Sequence, residues 1–160
     1  MAISHEGMIA LARRLPIPVP WDRKAFVNNL AELRGRPITL IPTDAGVTGG
    51  PCGLWLIRDH DDLILHQTGT SEYHIDQIVC HEIAHMVLGH RSVDGDRDAN
   101  LYRDILSDID PNSINAVLGR SSYADDQERD AEMFASVMMI AAAEAADRTS
   151  MMRSVFFRHR

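Results

Sequence analysis

A largely apolar helix that carries two histidines and a glutamate leaves few ways for the chain around it to fold, and residues 71–89 read as such a helix. Within it, CHEIAHMVLGH (Cys80 to His90) sets His81 and His85 four residues apart, with Glu82 directly after the first. On an α-helix, residues i and i+4 lie one above the other, so the two imidazoles face one point. Glu82 is turned by roughly 100° from His81, the helical step per residue, and can stand beside that point without occupying it. Two ligands and a general base are the physical content of H-E-x-x-H. Shuffling this composition produces the pattern in roughly one chain in sixty, so the weight falls on its surroundings. Those are strongly apolar: Ile75, Ile78, Val79, Ile83, Met86 and Val87 predict a buried helix. Burying two imidazoles and a carboxylate is costly unless something satisfies them, and a metal ion would.

A catalytic zinc keeps three protein ligands and an open position. His90 does not fit as the third, because the spacing H-E-x-x-H-x-x-G-x-x-H fails here: Gly89 and His90 follow His85 by four and five. It reads instead as a helix-end residue near the last carbonyls. The supplier indicated by the sequence is ERDAEMFASVMM, Glu128 to Met139. There Ala131, Phe134, Ala135 and Met138 form an apolar stripe, and Glu128 extends it inward at the helix start. Glu132, one turn on, is placed to accept a hydrogen bond from a ligand histidine. Without the histidines, an acidic helix start would need no explanation beyond the macrodipole.

Together, IDQIVCHEIAHMVLGH and ERDAEMFASVMM resemble the ImmA/IrrE metallopeptidases, whose pattern is HExxH followed by E-x-x-A-[ND]-x-F-A. The match covers roughly residues 37–140. The resemblance implies a zincin fold, a Zn2+ ion held by His81, His85 and Glu128, and Glu82 as the base. It also implies that the chain cuts a helix-turn-helix repressor, usually encoded nearby, and so relieves repression. Two positions depart from the family. Glu132 stands where asparagine or aspartate is usual, and VMMIAA lacks the proline that ends the family's helix. The reading is therefore a zinc metalloendopeptidase, with Glu82 taking a proton from water and delivering it to the leaving amine. Two other readings compete: a non-catalytic, zinc-stabilised module that binds a regulator, and a toxin component of a two-gene system.

Organisation along the chain fits one α+β domain over residues 1–160. Residues 1–36 read as two helices, the first from Ser4, the second from Asp22 to Gly35, joined by the extended PIPVP. Residues 37–70 hold the strands. PITLIP, bounded by prolines, suits an edge, and CGLWLIR with DLILHQ makes a hairpin, giving a small, mainly antiparallel sheet. Residues 71–147 carry the metal-site helices, with further helices expected around Leu101–Ile109 and Pro111–Leu118. Residues 148–160 read as a separate amphipathic tail that closes the core through Met151, Met152, Val155 and Phe156.

The remaining candidates are weaker. Tyr73, Tyr102, Tyr123 and His66 could stabilise an oxyanion, and the sequence does not choose among them. His60 and His66 sit in or beside the hairpin and read as surface residues, and Cys80 reads as a buried small residue. DGDRD (Asp94 to Asp98) has the acids of a calcium loop without their order, and reads as a solvated connector. A net charge of −7 disfavours a nucleic-acid binder. Two cysteines provide no disulfide framework, and neither a secretion-signal pattern nor a membrane-spanning stretch stands out, so a cytoplasmic protein is expected.

Overall fold

The computed structural model describes residues 3–44, 53–91, 109–119 and 123–157. Helix α1 (His5–Arg14) is capped by Ser4, whose side chain accepts from Gly7 N–H. Helix α2 (Arg23–Arg34) is capped by Asp22 and closed by left-handed Gly35. Strands β1 (Ile38–Thr43), β2 (Leu54–Arg58) and β3 (Asp62–Gln67) follow. Helix α3 (Glu72–Leu88) starts on Ser71, whose hydroxyl accepts from His74 N–H, and ends on left-handed Gly89. A 3₁₀ turn (Pro111–Ser113) leads into strand β4 (Ile114–Leu118), and helix α4 (Asp125–Phe157) completes the described fold. Among the described residues, no helix is long and apolar enough to cross a membrane.

The four strands form one sheet in the order β1-β3-β2-β4. The β2–β3 hairpin is as its sequence predicts, with Leu54 opposite Leu65 and Ile57 opposite Asp62. β1 does lie at an edge and runs parallel to β3, so the sheet is mixed, while its other two pairings are antiparallel as expected. The expected helix over Pro111–Leu118 is corrected. Its last five residues are β4, paired antiparallel with β2 through Leu118–Trp55 and Ala116–Ile57. Burial also alternates in sheet fashion: Leu118 joins the core against the helices, while Val117 packs with Leu54, Leu56, Leu63 and Leu65 on the other face. A partner strand overrides the local helical reading.

Among the described residues, the four helices share one core with one face of this sheet, α1 packing on α4. Phe26, Val27 and Leu30 of α2 meet Val79 and Ile83 of α3, Phe134 and Met138 of α4, and Trp55 and Ile64 of the sheet in one core. Two ionic ties fix α2. Asp76 of α3 accepts from Trp21 Nε1 (2.9 Å) and from Arg23 (2.7 Å). Buried Asp62 at the start of β3 accepts from Arg34 (2.9 Å) and Arg36 (3.1 Å).

The tail also differs from expectation. No break occurs near residue 147; α4 runs for 33 residues, about 50 Å at 1.5 Å per residue. Neither glycine nor proline occurs after Gly119 to stop it. Ala142 is its last buried residue among those described, and Met151, Met152 and Val155 are exposed rather than packed on the core. The expected helix at 101–109, the DGDRD loop, Cys52 and Tyr102 lie wholly or mainly outside the described residues.

Candidate metal centre

α3 and α4 pack along each other and bring the candidate ligands together. His81 Nε2 and His85 Nε2 lie 3.2 Å apart. Glu128, in the first turn of α4, sets Oε2 3.1 Å from His81 Nε2 and Oε1 3.2 Å from His85 Nε2. These ligand atoms are close enough to share one metal ion. Tetrahedral ligands at about 2.0–2.1 Å from a zinc ion stand about 3.3 Å from one another; the two histidines are that far apart, and each is that far from the Glu128 oxygen it faces, a different oxygen for each. The chemistry of the donors fits as well: two imidazole nitrogens and a carboxylate, with both Glu128 oxygens buried and without aligned hydrogen-bond donors.

The electrostatics point the same way. Burial opposes ionisation of Glu128, but the two imidazoles more than reverse this and hold it well below the usual carboxylate range. His81 is also opposed by burial, yet Glu128, Glu82 and Glu132 together raise it. His85 is lowered, because burial and the neighbouring His81 and His90 outweigh Glu128. An ionised carboxylate facing two imidazole nitrogens is a site prepared for a cation.

Glu82 is 2% exposed, and its Oε2 has no hydrogen-bond partner. Burial, with the charge of Glu128 adding to it and His81 opposing, pushes its carboxyl up to about 8. Gly53, just before β2, makes room for it. A Cβ there would lie 2.8 Å from Leu65 O, 3.0 Å from Ile78 Cγ2 and 3.1 Å from Glu82 Cγ.

Two residues hold His85 from behind. The ring of Tyr123 lies flat on it, centroids 3.7 Å apart and planes 6° from parallel. His90 brings Nδ1 to 2.9 Å from His85 Nδ1. His90 stands at the helix end as expected, its backbone N–H bonding His85 O, but its ring turns back onto His85. Left-handed Gly89 (φ 69°) reverses the chain and puts it there. The sequence held the signal, a Gly-His pair directly after the helix, but not the direction of the ring.

The other candidates separate. Of the four oxyanion candidates, Tyr123 stands over His85 with a buried hydroxyl that lacks a partner; burial, then Glu82 and Glu128, raise its pKa. Tyr73 is exposed on α3. His66, expected at the surface, is instead buried on β3 and lines a separate cavity between α2 and β1 with Trp21 and Asp76. Glu132 is exposed, at the mouth of a groove that begins at His81. His60 is exposed at the hairpin turn, as expected. Cys80 is buried 3.9 Å from Met139 Sδ, and burial pushes its thiol up to about 12, which leaves it inert. Compared with family models, with curated proteins and with solved structures, the chain matches none.

Proposed function

We propose that the chain is a cytoplasmic, zinc-dependent endopeptidase whose target is a helix-turn-helix repressor. One observation carries the hydrolytic part: His81, His85 and Glu128 bring their ligand atoms together beside a buried carboxylate, Glu82, whose Oε2 has no hydrogen-bond partner among the described residues. A purely structural metal site has no use for that carboxylate, which is the ground for preferring an enzyme over a metal-stabilised binding module. The repressor and the cytoplasmic setting rest on the resemblance to the ImmA/IrrE metallopeptidases and on composition.

His81, His85 and Glu128 would hold the ion. Bound there, zinc supplies Lewis acidity, polarising a carbonyl and making water a stronger acid. Glu82 takes a proton from the attacking water as its oxygen bonds to the scissile carbon. It then gives that proton to the departing nitrogen as the C–N bond breaks. Tyr123 keeps water from the rear of His85 and offers its hydroxyl as a donor at the site. The ring of His85, wholly buried, has no freedom to leave this geometry.

The test uses two substitutions. Wild type should purify with one zinc per chain and Glu128→Ala with little. Glu82→Gln should keep the zinc but lose peptidase activity by a factor of about a hundred or more, the scale for a general base. Coexpression with a neighbouring-gene repressor should yield defined fragments with wild type only. Equal activity of Glu82→Gln and wild type would sink the enzyme reading, and full zinc in Glu128→Ala would show that the acid was misassigned.

A further inference from the structure

A groove shares His81 with the candidate metal centre, while its other lining residues are not candidate ligands. It runs between the first half of α3 and the middle of α4, with a volume of about 480 Å³. Cavities of roughly 300–1,000 Å³ hold small-molecule-sized groups, so a large side chain with its own backbone fits. Ala135, Ser136 and Ala143 of α4 form a floor without bulky side chains, and Met139 forms an adaptable wall. Tyr73 and Ile140, 61% and 58% exposed, stand as apolar rims.

Access to the centre is one-sided. The side chain of His81 is 15% exposed and that of Glu128 13%, whereas His85 is 0% exposed beneath Tyr123. Solvent therefore reaches the centre at His81 and Glu128 and not at His85, and His81 also lines the groove. Gln77, Glu132 and Ser136 are polar members of a lining whose remainder beyond His81 is alanine, methionine, isoleucine and the Tyr73 ring. We infer that this groove is the specificity subsite of the proposed peptidase, and that it takes a bulky aliphatic or aromatic side chain next to the scissile bond. The substrate class is thus an extended peptide segment with an apolar residue at the cut. The inference rests on the peptidase reading for the word scissile, but the groove's preference for apolar side chains stands apart from catalysis.

Two arms separate the two claims. In the first, zinc-loaded Glu82→Gln protein is titrated with fluorescent peptides that differ at one position, leucine or phenylalanine against alanine. In the second, cleavage of the same peptides by wild type is measured as kcat/KM. Burial of one large apolar side chain corresponds to a preference of about ten- to hundredfold, expected in both arms. Ala143→Trp, at an exposed position where the core is not overpacked, should fill the groove and reduce that ratio to near unity. Tyr73→Ala, which opens a rim, should shift the preference toward the larger ring. A leucine-to-alanine ratio near unity in wild type, or one that survives both substitutions, overturns the groove as a subsite. If Glu82→Gln cleaves like wild type, the peptidase reading falls, while the binding arm still decides what the groove accepts.

Discussion

His85 has no solvent exposure, and every edge of its ring is accounted for. Nε2 faces Glu128 and His81, Nδ1 faces His90, and Tyr123 covers one flat side. With Nε2 turned toward the shared point, the proton of a neutral His85 sits on Nδ1 and is donated to His90 Nδ1. That bond fixes both tautomer and ring angle, the role played by partners of metal-bound histidines generally. His90→Ala should weaken zinc binding by about ten- to a hundredfold in competition with a chelator dye. His90→Asn, which keeps a short acceptor, should recover part of it. Equal zinc affinity in wild type and His90→Ala would reduce His90 to a helix-end residue, the role its sequence position alone predicts.

At the scale of elements, the start of β2 and the middle of α3 are set against each other with nothing between. Gly53 supplies that closeness, since a methyl group would press on Leu65 O, Ile78 and Glu82. Backbone on one side and a packed helix on the other cannot both retreat. Gly53→Ala should cost about 1–3 kcal/mol in urea unfolding, the range for overpacking. Because Glu82 is displaced and the ligands are not, activity should fall by more than zinc affinity does. Stability within about 0.5 kcal/mol of wild type, the scatter of an ordinary surface substitution, would mean that the strand end yields easily. Gly53 carries no signal of its own in the sequence, because its constraint comes from Leu65, Ile78 and Glu82, all distant along the chain. The same holds for β4, whose sequence allows a helix and whose pairing with Trp55 and Ile57 makes it a strand.

For the whole molecule, the proposed metal is also a clamp. Its ligands come from α3 and α4, two helices that share a large part of the core with each other, and the site lies where α4 begins. A ligand at a hundredfold excess over its Kd stabilises the native state by about 2.7 kcal/mol. For a chain of this size, that corresponds to about 5–10 °C in Tm. Chelation followed by calorimetry should show a fall of that size, restored by zinc. Glu128→Ala should show no difference between the two conditions. Identical melting of chelated and zinc-loaded wild type would remove the metal from the structure's stability.

Much of this architecture is local, and that part was legible in the residues. Ser4, Asp22 and Ser71 cap helices by bonding amides three residues on, and Gly35 and Gly89 close them in the left-handed region. The spacing of His81 and His85 needs only one helix to put two nitrogens on one face. Glu128 was legible as a member of an apolar stripe, yet its meeting with the histidines depended on how α4 packs against α3. The parallel pairing of β1 with β3, the strand at Ile114–Leu118, the return of His90 and the stacking of Tyr123 were decided only in the tertiary structure. Each joins segments whose local preferences say nothing about one another. The sequence by itself determined the helices and the donors; the contacts between distant segments decided the sheet, the shell around His85 and the groove at His81, because pairing and packing energies exist only once those segments meet.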